Sequence, residues 1–516
     1  MKNMTIRPLR LYLLVITLHL TLPGYASATE QPGPNVVLVV VNALRADHLQ
    51  CYGYGRTTTP TLDRLADSSL LFTRAFSQSG YTMPSMMTLF TSLYPDSHMV
   101  YDAFKDRLDD GEIRTMAELL AQNNYRTGWF AMLGLGHLAP EAGFTRGFAD
   151  QVHLGDQLEG RHKLFEWIKS RDGRPFFAAV HVRHTHRPYI TWPRYRQSFL
   201  PRGEEPLFVD PDDFKGAVYR AIISGLEAKG GGLEGLVADA DRKREVELFN
   251  GQYRPGKLER LVEMVESGRR YLIGHLQTEE FYRRARNLGD RGREKMVAMY
   301  DATILATDQE LLKPLLALLR EEGVYENTLL IVTSDHGDSF GEHGLFGPSP
   351  KLYENLVHVP LLIKLPGVEH GGQRIPVPVG GVDILPTVLD VAGIRAPRYL
   401  QGQSLVALLK RGGKSQQREV FGASRDYAYM RAADWKLLAK RENGAWSEGE
   451  ANLYDLASDP GESRDLKKEN RKRFESMSAA LRAHLQALPH YGVPNGRFYP
   501  NIGAETRRRI RETGYW

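Results

Sequence analysis

The run Thr328-Leu329-Leu330-Ile331-Val332 leads into Ser334-Asp335-His336-Gly337-Asp338, and Gly341-Glu342-His343-Gly344 and Lys351-Leu352-Tyr353-Glu354 follow. The apolar, β-branched run reads as a strand buried on both faces, the pattern of a parallel sheet. Side chains just past the carboxyl end of such a strand project into the crevice where an α/β sheet binds ligands. An Asp and a His presented there together suit a divalent cation, because carboxylate oxygen and imidazole nitrogen are both good donors. The same residues also make an ordinary strand-to-loop turn. The rest of the chain decides between the two.

Working outward, Asn35 to Val41 (NVVLVVV) is a second continuous apolar run and reads as the first central strand. Pro60 opens a helix, and Pro84 takes a first helical position for another over 84–93. Helical patterns at 113–122 and 162–169 alternate with strands at 126–131 and 176–182, which predicts a parallel sheet covered on both faces. Between Tyr189 and Met296 the strand signal nearly vanishes, and charged helical patterns at 242–248, 257–270 and 279–285 surround Gly230-Gly231-Gly232. This block, about 190–295, reads as a helical insertion. A helix at 294–320, strands at 328–332 and 359–364 and a helix at 383–392 restore the alternation. After Gly402 the strand patterns at 419–422, 427–431, 435–439 and 452–456 predict a small antiparallel sheet closed by a helix at 471–488.

The 516 residues exceed one typical core, and 42% apolar with 25% charged residues is ordinary for a globular chain. Lys2, Arg7 and Arg10, then the apolar stretch Leu11 to Leu22, then Ala26-Ser27-Ala28 make the layout of a secretory signal peptide over residues 1–28. The stretch is too short to span a bilayer comfortably, so no integral membrane span is expected after cleavage. Cleavage removes three positive charges from a net +5 and leaves +2. With basic residues scattered apart from Arg507-Arg508-Arg509, no nucleic-acid partner is expected. Cys51 is the one cysteine, so stability has to come from packing. The expected location is exported, periplasmic or extracellular.

Pro34-Asn35-Val36-Val37-Leu38, Leu44-Arg45-Ala46-Asp47-His48-Leu49, Cys51-Tyr52-Gly53-Tyr54 and Thr59-Pro60-Thr61-Leu62-Asp63-Arg64-Leu65 come first in a longer series. Thr82-Met83-Pro84-Ser85, Leu93-Tyr94-Pro95, His186-Arg187-Pro188-Tyr189, Tyr300-Asp301-Ala302, the Asp-His-Gly segment and Leu453-Tyr454-Asp455-Leu456 with Asp459-Pro460 complete it. In this order they resemble the sulfatase family of the alkaline phosphatase superfamily. The resemblance implies an α/β/α sandwich over 33–400 with the helical insertion, a small C-terminal α+β subdomain over 401–490 and a tail over 491–516. It also implies one divalent metal ion, calcium by family habit with manganese or zinc as alternatives.

Carried over residue by residue, the resemblance makes Thr82 the nucleophile, His186 a contact of the ester or its leaving group, and His137 a second pocket histidine. Lys351 matches a lysine that binds the anionic oxygens. The implied metal ligands are Asn42, Thr82, Asp335 and His336. Thr82 stands where cysteine-type sulfatases carry a Cys oxidised to formylglycine, and Cys51 lacks the Pro-Ser-Arg that follows such a Cys, so formylglycine is not expected. A Thr hydroxyl needs activation, which metal coordination supplies. A helix start there favours a bound anion, although Thr82 as a plain helix cap is the simpler role.

Departures from the family pattern sit at the same place. Asn42 replaces the first metal-binding carboxylate, Ala43 its neighbour, Met86 the Arg after the nucleophile motif, and Leu135 the lysine before His137. At an effective dielectric of ~20, one lost unit-charge contact near ~4 Å is worth on the order of 4 kcal/mol. The expected activity is hydrolysis of a sulfate or phosphate ester, of small size or on a glycan. A catalytically impaired protein that binds an anionic glycan or envelope component is the alternative, and an envelope phosphotransferase is a further one.

Overall fold

Asn35–Val41 (β1) is buried along its whole length, as a strand between two helical layers has to be. Phe176–Val182 (β5) pairs with it in parallel on one side and Thr328–Thr333 (β6) on the other. The structure, a computed structural model, describes residues 33–101, 106–108, 111–132, 143–155, 158–201, 203–207, 286–367, 372–406, 418–442 and 445–491. The signal segment, Leu135, His137, residues 208–285 of the insertion with its three charged helical patterns, and residues 492–516 of the tail lie outside the described residues.

Among the described residues, nine strands form the main sheet. They are β1, Leu70–Phe76 (β2), Arg126–Ala131 (β3), Asp150–His153 (β4), β5, β6, His358–Lys364 (β7), Gln373–Ile375 (β8) and Val379–Gly380 (β9). Their order is β4-β3-β5-β1-β6-β7-β2-β8, with β9 also on β2. Only β7 is antiparallel to its neighbours, so the sheet is mixed where the sequence pattern predicts a parallel one. The one-turn helix Glu354–Val357 runs straight into β7 with no crossover. The chain therefore starts back from the end at which β6 stopped. Strands β2 and β4 are not anticipated from sequence; the LLFTRAF of β2 lacks a clean period of two.

Alternate side chains of β1 feed two cores, as the strand period requires. Val37, Val39 and Val41 meet the helices Pro60–Ala66 (α1), Arg161–Lys169 (α4), Asp290–Thr307 (α5) and Lys313–Glu321 (α6). Val36, Leu38 and Val40 meet Thr82–Thr91 (α2), Met116–Gln122 (α3) and Ile384–Val391 (α7). This is the α/β/α sandwich. Helix α3 starts after the predicted position because Thr115 caps it, accepting from the Glu118 N–H while Glu118 accepts from its own. The predicted helix at 294–320 is interrupted by a π turn, Asp308–Leu312. Pro314 has no N–H for the carbonyl one turn back, and the wider turn absorbs the mismatch. Asp308 in that turn accepts from the Thr61 and Leu62 N–H groups at the start of α1, at 3.0 and 2.9 Å.

Strands Glu419–Ala423 (β10), Tyr427–Ala432 (β11), Trp435–Glu442 (β12) and Ala445–Asp455 (β13) form a sequential antiparallel sheet. Helix Arg471–Ala487 (α8) buries Met477 and Leu481 against Met430, Leu437 and Leu453 on it. Lys436, fully buried on β12, joins this subdomain to the main body through Glu354 at 3.2 Å and also pairs with Glu462 at 2.8 Å.

Candidate active site

Four strands running in the same sense bring their carboxyl ends to one rim: β5, β1 and β6 side by side, and β2 beyond the reversed β7. Asn42 follows β1, Asp335 and His336 follow β6, the segment 183–189 follows β5, and Thr82 follows β2 as the first residue of α2. The β1–β6 register, Val40 opposite Thr333, sets Asn42 opposite Asp335.

The side chains meet at hydrogen-bond distance. Asn42 Nδ2 donates to Thr82 Oγ1 at 2.8 Å and to Asp335 Oδ2 at 2.5 Å. Thr82 Oγ1 lies 3.1 Å from His336 Nε2. His336 Nδ1 is 2.6 Å from the Gly337 carbonyl oxygen, which only accepts. The ring proton therefore sits on Nδ1, and Nε2 offers a lone pair to the Thr82 hydroxyl. Helix α2 has Tyr81 as its N-cap with no side-chain cap, so Thr82 does not cap the helix and its hydroxyl faces the rim.

Asp335 is completely buried. Burial alone would raise its carboxyl. The His336 and His181 rings and the Ala43 N–H, donating to Oδ1 at 3.0 Å, outweigh it and hold the group well below the usual carboxylate range. His186 Nδ1 lies 2.8 Å from the Arg187 carbonyl oxygen and 3.3 Å from the Arg183 guanidinium. Burial first, then the charges of Arg183 and Arg187, push this imidazole well below its ordinary value, so it is neutral at pH 7. Asp338 is buried; it accepts from Tyr189 at 2.5 Å, and Arg187 lies 4.0 Å away.

Lys351 is on the loop after β6, and that loop packs on Gly80: a Cβ there would meet Ser349 O at 2.9 Å and a Leu352 methyl at 3.4 Å. Among the described residues its ammonium meets no carboxylate at ion-pair distance. Sequence reasoning missed His181, whose Nε2 lies 3.7 Å from Asp335 Oδ2, and the pair Arg183 and Arg187. The signal was present, since all three sit at or just after the carboxyl end of β5, where the crevice rule that singled out Asp335 applies equally.

A profile of the Sulfatase family matches residues 34–394, and one for the C-terminal region of N-sulphoglucosamine sulphohydrolase matches 341–490. The chain belongs to the sulfatase family. It is 26% identical to an N-acetylglucosamine-6-O-sulfatase of Bacteroides thetaiotaomicron, over 85% of this chain and 83% of that one. It is 24% identical to the steryl-sulfatase of Rattus norvegicus over 92% of each. A solved structure in complex with its substrate D-glucosamine-2-N,6-O-disulfate superposes with a TM-score of 0.63 at 23% identity, covering 88% of this chain and 98% of that one. At that identity the likeness establishes the fold.

For a sulfatase the divalent ion that sequence resemblance implies has to find donors here. Asp335, His336 and Thr82 point lone pairs inward, but Asn42 presents an amide N–H between two of them. Its Oδ1 is turned away, buried and without a hydrogen-bond partner among the described residues. Asp335 Oδ1 is already committed to the Ala43 and His336 N–H groups. Among the described residues no three His, Cys, Asp or Glu side chains are grouped to hold an ion. The residues in this arrangement do not fit a bound dication.

Proposed function

We propose that the chain hydrolyses sulfate esters, on a sugar or another small anionic ester, with Thr82 as nucleophile and without formylglycine. The observation that carries this reading is the approach of Asn42 Nδ2 and His336 Nε2 to the Thr82 hydroxyl at the first turn of α2. His336 accepts the proton as Thr82 Oγ1 attacks sulfur, and the Asn42 N–H steadies the developing alkoxide. The S–O bond to the alcohol breaks, and its electron pair leaves with that oxygen, which takes a proton from solvent. Water then cleaves the sulfuryl group from Thr82. The start of α2, where the helix dipole is positive and the Thr82 and Met83 N–H groups precede the first helical carbonyl acceptor, favours the anionic oxygens. Lys351, Arg183 and Arg187 bring positive charge toward the same rim, and neutral His186 serves the leaving-group side.

The relatives' names support a sulfated glycan as substrate class. A phosphate monoester has the same tetrahedral outline and is the second substrate to assay. The ligand set Asn42, Thr82, Asp335 and His336 would take calcium, manganese or zinc only with the Asn42 carboxamide reversed. The order of charge, apolar run and small residues over 1–28 supports export, and no helix among the described residues is long and apolar enough to cross a membrane.

The test compares the parent with Thr82→Ala on 4-nitrophenyl sulfate, 4-nitrophenyl phosphate and 6-O-sulfated N-acetylglucosamine. The parent is expected to turn over a sulfate ester. The variant should lose activity by on the order of 10³-fold, with a stability change of no more than ~1 kcal/mol. Equal rates in the two would remove Thr82 from the mechanism. Asn42 favours one second reading: if the parent binds the sulfated sugar in calorimetry but never turns it over, the chain is a binding protein on a sulfatase scaffold.

A further inference from the structure

The two oxygens that a resident ion would join, Thr82 Oγ1 and Asp335 Oδ2, are joined instead by one nitrogen. Asn42 Nδ2 has two protons, and the distances of 2.8 and 2.5 Å assign one to each oxygen. The next residue, Ala43, is buried and left-handed at φ 58°, and its N–H is aimed at Asp335 Oδ1 at 3.0 Å. Ala43 therefore contributes a backbone donor to the carboxylate and no side-chain oxygen to an ion. Three N–H groups, from Asn42, Ala43 and His336, close around Asp335. Both carboxylate oxygens therefore already have N–H partners within the chain.

The orientation of the amide follows from the same electrostatics. Turning it over would bring a carbonyl oxygen to within contact of the Asp335 carboxylate, two acceptors face to face in a buried site. Only a cation between them would repay that. The unpartnered Asn42 Oδ1 is the smaller penalty of the arrangement without an ion.

We propose that the Asn42 carboxamide stands in for the divalent ion: its NH₂ group links the Thr82 hydroxyl to Asp335, and the site assembles without a resident metal. The inference concerns the same site as the proposed hydrolysis, but it stands on metal content rather than turnover, so the two can fail separately.

The experiment uses the full chain purified without chelator. Elemental analysis of the parent should find less than about one ion per ten chains, whether calcium, manganese or zinc. The melting temperature should be unmoved by EDTA and by millimolar calcium or manganese chloride. Asn42→Asp replaces the donor with a carboxylate of the same size and adds the missing charge. That variant should bind calcium in calorimetry, melt several degrees higher with calcium, and lose that gain in EDTA. One ion per parent chain, removed by EDTA with a fall in melting temperature, overturns the proposal. So does a folded Asn42→Asp protein with no response to calcium or manganese. Should Asn42→Asp fail to fold, the parent's metal content and its melting temperature in EDTA decide by themselves.

Discussion

His336 works through its neighbour. The Gly337 carbonyl fixes the ring's proton on Nδ1, and the Gly337 N–H is anchored to the Leu356 carbonyl at 2.8 Å. A Cβ at Gly337 would overlap the Asn355 carbonyl oxygen and press the Arg45 side chain at 3.2 Å. Gly337→Ala therefore has to move the backbone that aims Nε2 at Thr82. Displacement by about 1 Å costs on the order of 100-fold in turnover. Steady-state kinetics on an aryl sulfate should show that fall in kcat with a much smaller change in KM, and an unaltered kcat would show that His336 is not the base. At this scale Asp335 and His336 stood out in the sequence by motif order and strand-end position, and Thr82 by motif order, since β2 was not anticipated. His181 was passed over although it stands at the carboxyl end of β5, because on a strand it reads as one more core position. Its 3.7 Å approach to Asp335 depends on how β5 sits beside β1.

Between elements, the attachment of the C-terminal sheet depends on Lys436 and Glu354. The lysine on β12 is wholly buried with Glu354 and Glu462, and Arg431 on β11 adds a second cation 3.3 Å from Glu354. Glu354 begins the one-turn helix that feeds β7, so this cluster also ties the subdomain to the loop after the active-site strand. Lys436→Met would leave the buried Glu462 and the partly buried Glu354 with reduced compensation. Breaking a buried pair from one side costs about 3–5 kcal/mol. Urea denaturation should show a loss of that order, partly recovered when Glu462→Gln is added. A loss below ~1 kcal/mol would mean that water reaches the cluster. None of this was readable beforehand: the short strands after Gly402 were visible by pattern, but a lysine at an alternating position looks like a solvent-facing one.

Across the whole molecule, histidines buried as neutral groups set the acid limit. Burial pushes His98 down to about 3, although its contact with the Pro84 carbonyl oxygen works the other way, and burial pushes His484 down to about 4. The unfolded chain takes up these protons near pH 6.5, while the folded chain refuses them until far lower. The unfolded state binds more protons in that window, so stability falls as the pH drops from about 6.5 toward 4. Melting temperatures from pH 7 to 4 should decline. His98→Gln, which removes the titrating ring that braces α2 through Pro84 and Val100, should flatten the decline while lowering the value at pH 7. A slope unchanged by that variant would place the acid sensitivity elsewhere.

The chain's own pattern determined the layers. Continuous apolar runs at β1, β5 and β6 admit only strands covered on both faces, and the helical periods between them supply the covers. The ordered motifs determined the family and brought out Thr82, Asp335, His336 and the substitution at Asn42. Only the tertiary structure decided the reversed β7, because strand direction depends on where the preceding loop ends. It alone decided that the Asn42 amide nitrogen, rather than its oxygen, faces Thr82 and Asp335. A sequence names a carboxamide, but which end points inward is set by the acceptors that two other strands, β2 and β6, bring against it.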